Sequence, residues 1–137
     1  MQSTSGFADP YDPTAEEVVR WAYDPDAYAP TQDFDLMLDS VDVSRVLPGL
    51  VADPECPKRG FFLGALYVIS GDAVRSKYSL KTREHLKSLL RLADELDEPV
   101  TATWARRTRA LMANPETFEY DLWCDGGLAR RPYDDPA

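Results

Sequence analysis

The sequence predicts an all-α protein, built as a compact bundle or array of five to seven short antiparallel helices. Apolar residues repeat at spacings of three and four along most of the chain, which is the period of a helix with one buried face. Proline and glycine separate these stretches, with 11 prolines among 137 residues, and no convincing β-hairpin signal occurs. We expect a flexible lead-in over residues 1–11, a single helical domain over residues 12–127 and a frayed tail over residues 128–137.

A first helix is expected over residues 13–23, where the start and stop signals are clear. Thr14 and Glu17 have the spacing of a capping box, and Pro13 suits the first helical turn. Pro25 ends the helix, because proline holds the residue before it away from helical dihedral angles. The predicted buried face consists of Val18, Trp21 and Ala22.

Two short elements are expected next. A short helix over residues 31–39 places Phe34, Met37 and Leu38 on one buried face. Residues 41–51 are apolar but interrupted by proline and glycine at positions 48 and 49, so we interpret them as two short turns that belong to the core. A strand over residues 41–46 is the alternative.

The longest apolar run, residues 61–69, is predicted to form a central buried helix, with a central strand as the alternative. Periodicity does not separate these two structures when a run is apolar on all sides. Pro57 suits a first helical turn, and Gly60 and Gly64, four residues apart, would let a neighbouring helix approach closely. Residues 71–72 then mark a break or a bend.

Two longer helices are predicted over residues 79–96 and 99–113, and the short connection between them makes them antiparallel neighbours. Basic side chains are expected to cover the outer faces of the first helix and to lie mostly outside the apolar stripe of the second. These basic residues are Lys81, Arg83, Lys87 and Arg91 in the first helix and Arg106, Arg107 and Arg109 in the second.

The C-terminal part is predicted to add one more helix. Asn114 ends the preceding helix and caps the next, in which Phe118 and Leu122 lie one turn apart. Gly126 and Gly127 end this last helix.

The net charge of −9 is distributed unevenly along the chain. Residues 1–56 carry 12 acidic and 2 basic side chains, residues 57–109 carry 6 acidic and 11 basic, and residues 110–137 carry 6 acidic and 2 basic. An acidic N-terminal third therefore precedes a basic centre. The two regions either neutralise each other within the molecule, or the acidic third meets a basic partner, or both are ordinary solvated surfaces.

Few residues of the sequence indicate catalytic chemistry. Glycine loops for nucleotides, the serine-hydrolase elbow and the zinc-protease helix motif are all absent from the sequence. The single histidine, His85, is expected to lie half-buried at a helix seam, and Cys56 and Cys124 are expected to be reduced structural thiols. We predict no cofactor.

The leading functional hypothesis is a small noncatalytic interaction module whose acidic third docks a basic protein. An immunity-type or antitoxin-type inhibitor is one subclass of such modules. Aromatic residues lie among the acids, including Tyr11, Trp21 and Phe34, and aromatic residues ringed by charge are typical of a contact hot spot. The predicted partner-binding residues are Tyr23, Asp24, Asp26, Tyr28, Asp33, Asp35, Asp39 and Asp42.

Two alternatives stay open at this point. One is a metal-dependent enzyme that uses Asp33, Asp35, Asp39 and Asp42, because carboxylates bind hard cations and a helix would place the last three on one face. The other is a nucleic-acid binder that uses the basic central helices, which the acidic ends of the chain disfavour. Neither a secretory signal nor a run of ~20 apolar residues is present, so we expect a cytoplasmic protein without a membrane partner.

Overall fold

In the computed structural model, which describes residues 7–75 and 80–133 except for the side chains of residues 80 and 81, every regular element is helical. The predicted all-α fold is therefore confirmed, and neither of the two stretches for which a strand was the alternative forms a strand. The α-helices are α1 (Ala15–Ala22), α2 (Val41–Ser44), α3 (Leu47–Ala52), α4 (Arg59–Arg75), α5 (Leu80–Leu96), α6 (Pro99–Ala113) and α7 (Tyr120–Trp123). Two short 3-10 helices cover Phe34–Leu38 and Pro115–Thr117.

The capping box predicted at the start of α1 is present. The Thr14 hydroxyl accepts a hydrogen bond from the Glu17 amide at 3.1 Å, and the Glu17 carboxylate accepts one from the Thr14 amide at 3.0 Å. The same carboxylate also accepts from the Ala8 amide at 3.0 Å, and these backbone donors hold the pKa of Glu17 below its usual value. The capping group therefore also ties the preceding segment to the helix.

The hydrophobic core extends beyond the predicted domain boundaries at both ends. Phe7, within the predicted lead-in, is buried and packs edge-on against Phe34 with ring centroids 5.2 Å apart. Leu128, within the predicted tail, is also buried. Both residues are apolar and pack against the core. A domain boundary drawn from the polar composition of the flanking residues does not detect such single apolar contacts. Residues 1–6 of the lead-in and residues 134–137 of the tail lie outside the described residues.

Residues 41–51 form two short helices rather than turns. Ser40 caps α2, because its hydroxyl accepts a hydrogen bond from the Val43 amide at 3.2 Å. Pro48 lies in the first turn of α3, where its missing amide hydrogen has no helical acceptor to lose, so it starts this helix instead of interrupting it. The apolar residues of both helices are part of the core, as predicted.

Helix α4 is the central helix of the fold, and it packs against α3, α5, α6, α7 and the first 3-10 helix. Of the two alternatives predicted at residues 71–72, a break or a bend, the break is wrong, since α4 continues to Arg75. Gly71 is buried, and a Cβ atom there would lie only 2.9 Å from Phe118 Cε1. Glycine at this position therefore allows the C-terminal segment to pack closely, rather than ending the helix.

Helices α5 and α6 are separated by two residues and pack against each other. Glu98 caps α6 by accepting from the Thr101 amide at 2.9 Å, and it also pairs with Arg59 at 2.6 Å. A buried hydrogen bond of 3.0 Å from Trp104 Nε1 to Ser70 Oγ fixes α6 on α4. The predicted start of α5 at Ser79 lies outside the described residues.

The placement of Arg107 corrects the prediction that all three arginines of α6 lie mostly outside its apolar stripe. Arg107 is buried, and its Nη1 donates a hydrogen bond to the Tyr67 hydroxyl at 3.0 Å. It also donates to the Leu128 carbonyl at 3.4 Å. Its position in the sequence places it on the inner face of the helix, where its long side chain reaches polar acceptors that the sequence pattern does not reveal.

The C-terminal segment differs from the single predicted helix. A 3-10 turn follows Asn114, and α7 begins only at Tyr120, so Phe118 lies between two helices and not one turn before Leu122. Gly126 has a positive φ of 79°, which glycine adopts without strain. No helix among the described residues has both the length and the apolar character needed to cross a membrane.

Candidate partner-binding surface

Residues 24–42 form the most acidic stretch of the chain, and we call them the acidic segment. They contain six aspartates and neither lysine nor arginine. Seven of the eight predicted partner-binding residues belong to this segment, and the eighth, Tyr23, directly precedes it. Only its 3-10 helix and the first two residues of α2 are helical.

The core holds the backbone of the acidic segment in place. Trp21 Nε1 donates to the Tyr28 carbonyl at 3.0 Å, and the Asp24 carboxylate accepts from the Asp26 amide at 3.0 Å. Phe34 and Leu38 are buried, so the 3-10 helix is fixed through its apolar side chains. Because the same fold positions the neighbouring aspartates, their side chains extend from a defined backbone rather than from a free loop.

The aspartates at positions 35, 39 and 42 do not lie on one helical face, which corrects the prediction made for the metal site. The 3-10 helix ends at Leu38, Asp39 follows it, and Ser40 begins α2 in an extended conformation. Serine at this position favours a cap over a continuous helix, because its hydroxyl satisfies a free backbone amide. Among residues 7–75 and 80–133, no group of three acidic, histidine or cysteine side chains is placed to hold a metal ion.

Most of the predicted partner-binding side chains are exposed. Asp24, Asp26, Asp33, Asp39 and Asp42 are exposed, and Asp35 is half-buried. Tyr28 is 78% exposed, which leaves almost its whole ring in contact with solvent. Trp21 and Phe34, in contrast, are core residues.

Tyr23 is bound within the chain. Its hydroxyl donates to the Asp53 carboxylate at 2.5 Å, and this hydrogen bond, together with burial, raises the pKa of Tyr23 to about 12. The pKa of Asp53 is lowered by the same contact. The residue is 44% exposed, while its hydroxyl is occupied by Asp53.

Among the described residues, no ion pair joins the acidic segment to the basic centre. The ion pairs between described residues are Asp42 with Arg45, Glu98 with Arg59, Asp72 with Arg75, Glu84 with Lys87 and Asp94 with Arg109. Each of these pairs joins two residues of the same charge region. Five aspartates of the segment have no ion pair with any residue in the described ranges, and Asp42 has only an exposed one at 3.5 Å.

Several basic side chains of the basic centre instead bind carbonyl or carboxylate groups of the protein itself. Lys58 Nζ donates to the carbonyls of Trp21 and Asp24 at the end of α1 and lies 4.7 Å from the Trp21 ring centroid. Arg109 makes a bidentate contact to Asp94 at 2.7 and 3.0 Å. With Arg107 also buried, the predicted basic surface for nucleic acid is smaller than its sequence indicates. The side chain of Lys81 lies outside the described residues.

A cleft of about 510 Å³ opens beside the acidic segment. Its apolar part includes Leu36 and Val41, which are 47% and 66% exposed. Three carboxylates line it, those of Asp35, Asp39 and Asp72. Sequence reasoning missed Asp72 because it lies far from the acidic segment along the chain. The exposed apolar residues Leu36 and Val41, which lie among the aspartates in the sequence, were the signal that could have indicated the cleft.

His85 lies in the wall of this cleft, half-buried at a helix seam as predicted. Its Nε2 is 2.5 Å from Ser44 Oγ, and Ser44 Oγ donates to the Ser40 carbonyl at 2.6 Å. Because a hydroxyl has one hydrogen, the imidazole donates to Ser44 in this arrangement. Burial lowers the pKa of His85, and the nearby Asp39 charge opposes that shift.

The pair of Ser44 and His85 resembles a nucleophile and its base, but its geometry does not serve that chemistry. Ser44 is fully buried, so a substrate has no access to its hydroxyl. The hydroxyl hydrogen is directed at a backbone carbonyl and not at the imidazole, as a general base requires. The contact instead joins α2 to α5.

Both cysteines are free thiols, and neither is placed as a nucleophile. Cys56 is buried with its Sγ 3.7 Å from the Ala22 carbonyl, and Cys124 is half-buried. Burial raises the pKa of both thiols, which favours the unreactive protonated form.

Comparison with protein-family models, curated proteins and solved structures found no match. Functional inference therefore depends on the arrangement of this chain's own residues.

Proposed function

We propose that this protein is a small noncatalytic interaction module whose acidic segment docks a basic protein partner. The single observation that carries the proposal is that five exposed or half-buried aspartates of one short segment have no ion pair with any described residue. Such a surface attracts a cationic partner over several ångströms and speeds the encounter. An immunity-type or antitoxin-type inhibitor, which covers the cationic site of another protein, is the subclass that we favour.

The internal use of the basic centre supports the proposal. Lys58, Arg59 and Arg109 are bound to carbonyls or carboxylates of the protein's own helices. The excess of negative charge near the N-terminus is therefore left on the surface. There it is available to a positively charged partner, and added salt screens the attraction.

Exposed apolar side chains among the charges also support the proposal. Tyr28, Leu36 and Val41 are large, exposed and close in sequence to the unpaired aspartates. Aromatic and aliphatic groups supply contact energy in interfaces, while charges around them set the orientation and the choice of partner.

The proposed interaction would take place in the cytoplasm, where both thiols stay reduced. Cys56 and Cys124 are free, and the described residues hold together without a disulfide.

The test is a pulldown from the source cells with the tagged full chain, followed by mass spectrometry. The key variant carries Asp24→Asn, Asp26→Asn and Asp33→Asn, which keep side-chain size and remove three charges. A control variant with Glu95→Gln, Glu116→Gln and Asp121→Asn removes the same number of charges from exposed positions outside the segment.

We expect the wild-type chain and the control variant to retain one strongly basic protein, and the key variant to lose most of it. Recovery of that protein should fall as NaCl rises from about 0.1 M to about 0.5 M, because added ions screen the attraction. Recovery that is equal for the two variants, or that does not depend on salt, would overturn the proposal.

A further inference from the structure

One strip of the central helix α4 faces open clefts instead of a neighbouring helix of the described chain. It contains Gly60, Gly64, Val68 and Asp72, spaced four residues apart along α4. A Cβ atom added at Gly60 or Gly64 would meet no atom within 4 Å. The neighbouring helix that the two glycines predicted is therefore not provided by residues 7–75 or 80–133.

Two adjoining clefts lie along this strip. The first is the cleft of about 510 Å³ beside the acidic segment, and the second, of about 420 Å³, has Gly60 and Gly64 in its lining. Asp35 and Val68 line both clefts, so we treat them as one groove and call it the α4 groove. Gly60 and Asp72 are twelve residues apart, and a rise of about 1.5 Å per residue gives the groove a length of about 18 Å.

The described side chains that line the α4 groove carry more negative than positive charge. Four carboxylates line it, those of Asp35, Asp39, Asp72 and Asp125, against one guanidinium, that of Arg130. Arg130 Nη2 also donates to the Asp125 carbonyl at 2.7 Å, which ties it to one end of the groove. Asp72 is paired with Arg75 at 3.0 Å, so the carboxylates of Asp35, Asp39 and Asp125 are the ones that have no ion pair with a described side chain.

Apart from Thr82, His85 and Cys124, the surface between the carboxylates is apolar or lacks a side chain. The two glycines expose backbone, and the apolar lining residues are Leu36, Val41, Phe61, Ala65, Val68, Ile69, Ala73 and Ala129. A ligand that fits must therefore be apolar where it touches α4 and positively charged at its edges.

We propose that the α4 groove binds a basic amphipathic helix of the partner protein, with its apolar face on Gly64 and Val68 and its lysines and arginines toward the carboxylates. This inference rests on the proposed function and names the form of the partner's contact surface. A groove of about 18 Å accommodates about three helical turns. Because glycine has no side chain, a helix on this strip comes closer to α4 than it would over larger residues.

The test is a nuclear magnetic resonance titration of the full-length, nitrogen-15-labelled protein with a synthetic helical peptide. The probe is a peptide of about 18 residues of lysine, leucine and alanine with its leucines on one face, long enough to be helical on binding. A second peptide of the same composition, with its leucines distributed around the helix, controls for charge alone.

Substitutions on the protein provide the matched controls. Gly64→Leu fills the groove without changing charge, and Gly49→Leu places the same side chain at another helical glycine with nothing within 4 Å of its Cβ position. Circular dichroism verifies that each variant is folded. The pair Asp35→Asn and Asp39→Asn tests the groove without adding bulk.

We expect the amide signals of Gly60, Gly64 and Val68 to shift with the amphipathic peptide, and much less with the control peptide. Gly64→Leu should weaken binding by about tenfold or more, as loss of a central contact does, while Gly49→Leu should leave it unchanged. The double Asn variant should weaken binding by about threefold and reduce its salt dependence.

Equal binding of the two peptides, or equal binding by wild type and Gly64→Leu, would overturn the groove as a helix site. The proposed function would survive that result if the acidic segment still captured a basic protein in cells. Conversely, peptide binding in the groove with no salt-sensitive cellular partner would contradict the proposed function alone.

Discussion

Two glycines of α4 should respond in opposite ways to the same substitution. Gly64 faces the open α4 groove, whereas Gly71 lies under the C-terminal segment, seven residues farther along the same helix. Replacing either with alanine adds one methyl group at a helix-interior position. The comparison therefore measures the space beside each residue, because the change in helix propensity is common to both.

The expected magnitudes follow from the surroundings of each glycine. Alanine is favoured over glycine within a helix by about 0.5–1 kcal/mol, and at Gly64 nothing within 4 Å opposes that gain. At Gly71 the new Cβ would lie 2.9 Å from Phe118 Cε1 and 3.1 Å from Trp123 Cβ. Overpacking of a core costs about 1–3 kcal/mol, so Gly71→Ala should be destabilising despite its propensity gain.

Urea denaturation followed by circular dichroism measures both effects. Gly64→Ala should raise the free energy of unfolding and Gly71→Ala should lower it, with a difference of about 1–3 kcal/mol between them. Gly49→Ala, at a position equally free of neighbours, should behave like Gly64→Ala. If Gly64→Ala destabilised the protein as much as Gly71→Ala, the open face of α4 would be refuted.

Three further predictions concern titratable groups. Ultraviolet titrations of the wild-type chain and of Asp53→Asn should show that the pKa of Tyr23, about 12 in the wild type, falls back toward 10 in the variant. Because burial lowers the pKa of His85 below 6.5, the unfolded chain binds that proton more readily. The free energy of unfolding should therefore decline as the pH falls below about 6.5. His85→Gln should reduce this dependence of the unfolding free energy on pH between about pH 7 and pH 5.5. An unchanged dependence would contradict a lowered pKa for His85. Native Cys56 should react with a thiol reagent more slowly than half-exposed Cys124, and both should react much more slowly than in urea.

Local sequence signals predicted a helix well where its cap and its buried face are determined by residues of that helix. Thr14 and Glu17 cap α1 as their spacing indicates, and Glu98 caps α6 directly after a short connection. Hydrophobic spacing also identified the buried faces around Trp21 and Leu89. These features depend on residues within a few positions of each other, which a sequence displays directly.

Features that depend on distant residues could not be predicted in this way. Gly71 looks like a helix break, but Phe118 and Trp123 pack against it from more than forty residues away. The sequence pattern indicates a surface arginine at position 107. In the structure Arg107 is buried, because the Tyr67 hydroxyl accepts a hydrogen bond from it inside the core.

The candidate site shows the same division. The acidic residues of the segment were evident from composition, and five of its six aspartates are exposed. Their helical alignment was wrong because Ser40 caps a new helix, and the contact of Ser44 with His85 joins residues 41 positions apart. Pairing across such distances depends on how the whole chain folds, which periodicity within either helix does not report.

Carbodiimide cross-linking of the protein with its captured partner tests the central claim most directly, because this reagent joins a carboxylate to a lysine without a spacer. Mass spectrometry of the products should place the partner's lysines on the acidic segment and on Asp72, with links to Asp35 and Asp39 lost after their conversion to Asn. Links that are instead concentrated on Glu84, Glu95 or Glu116, outside both the segment and the α4 groove, would contradict the account.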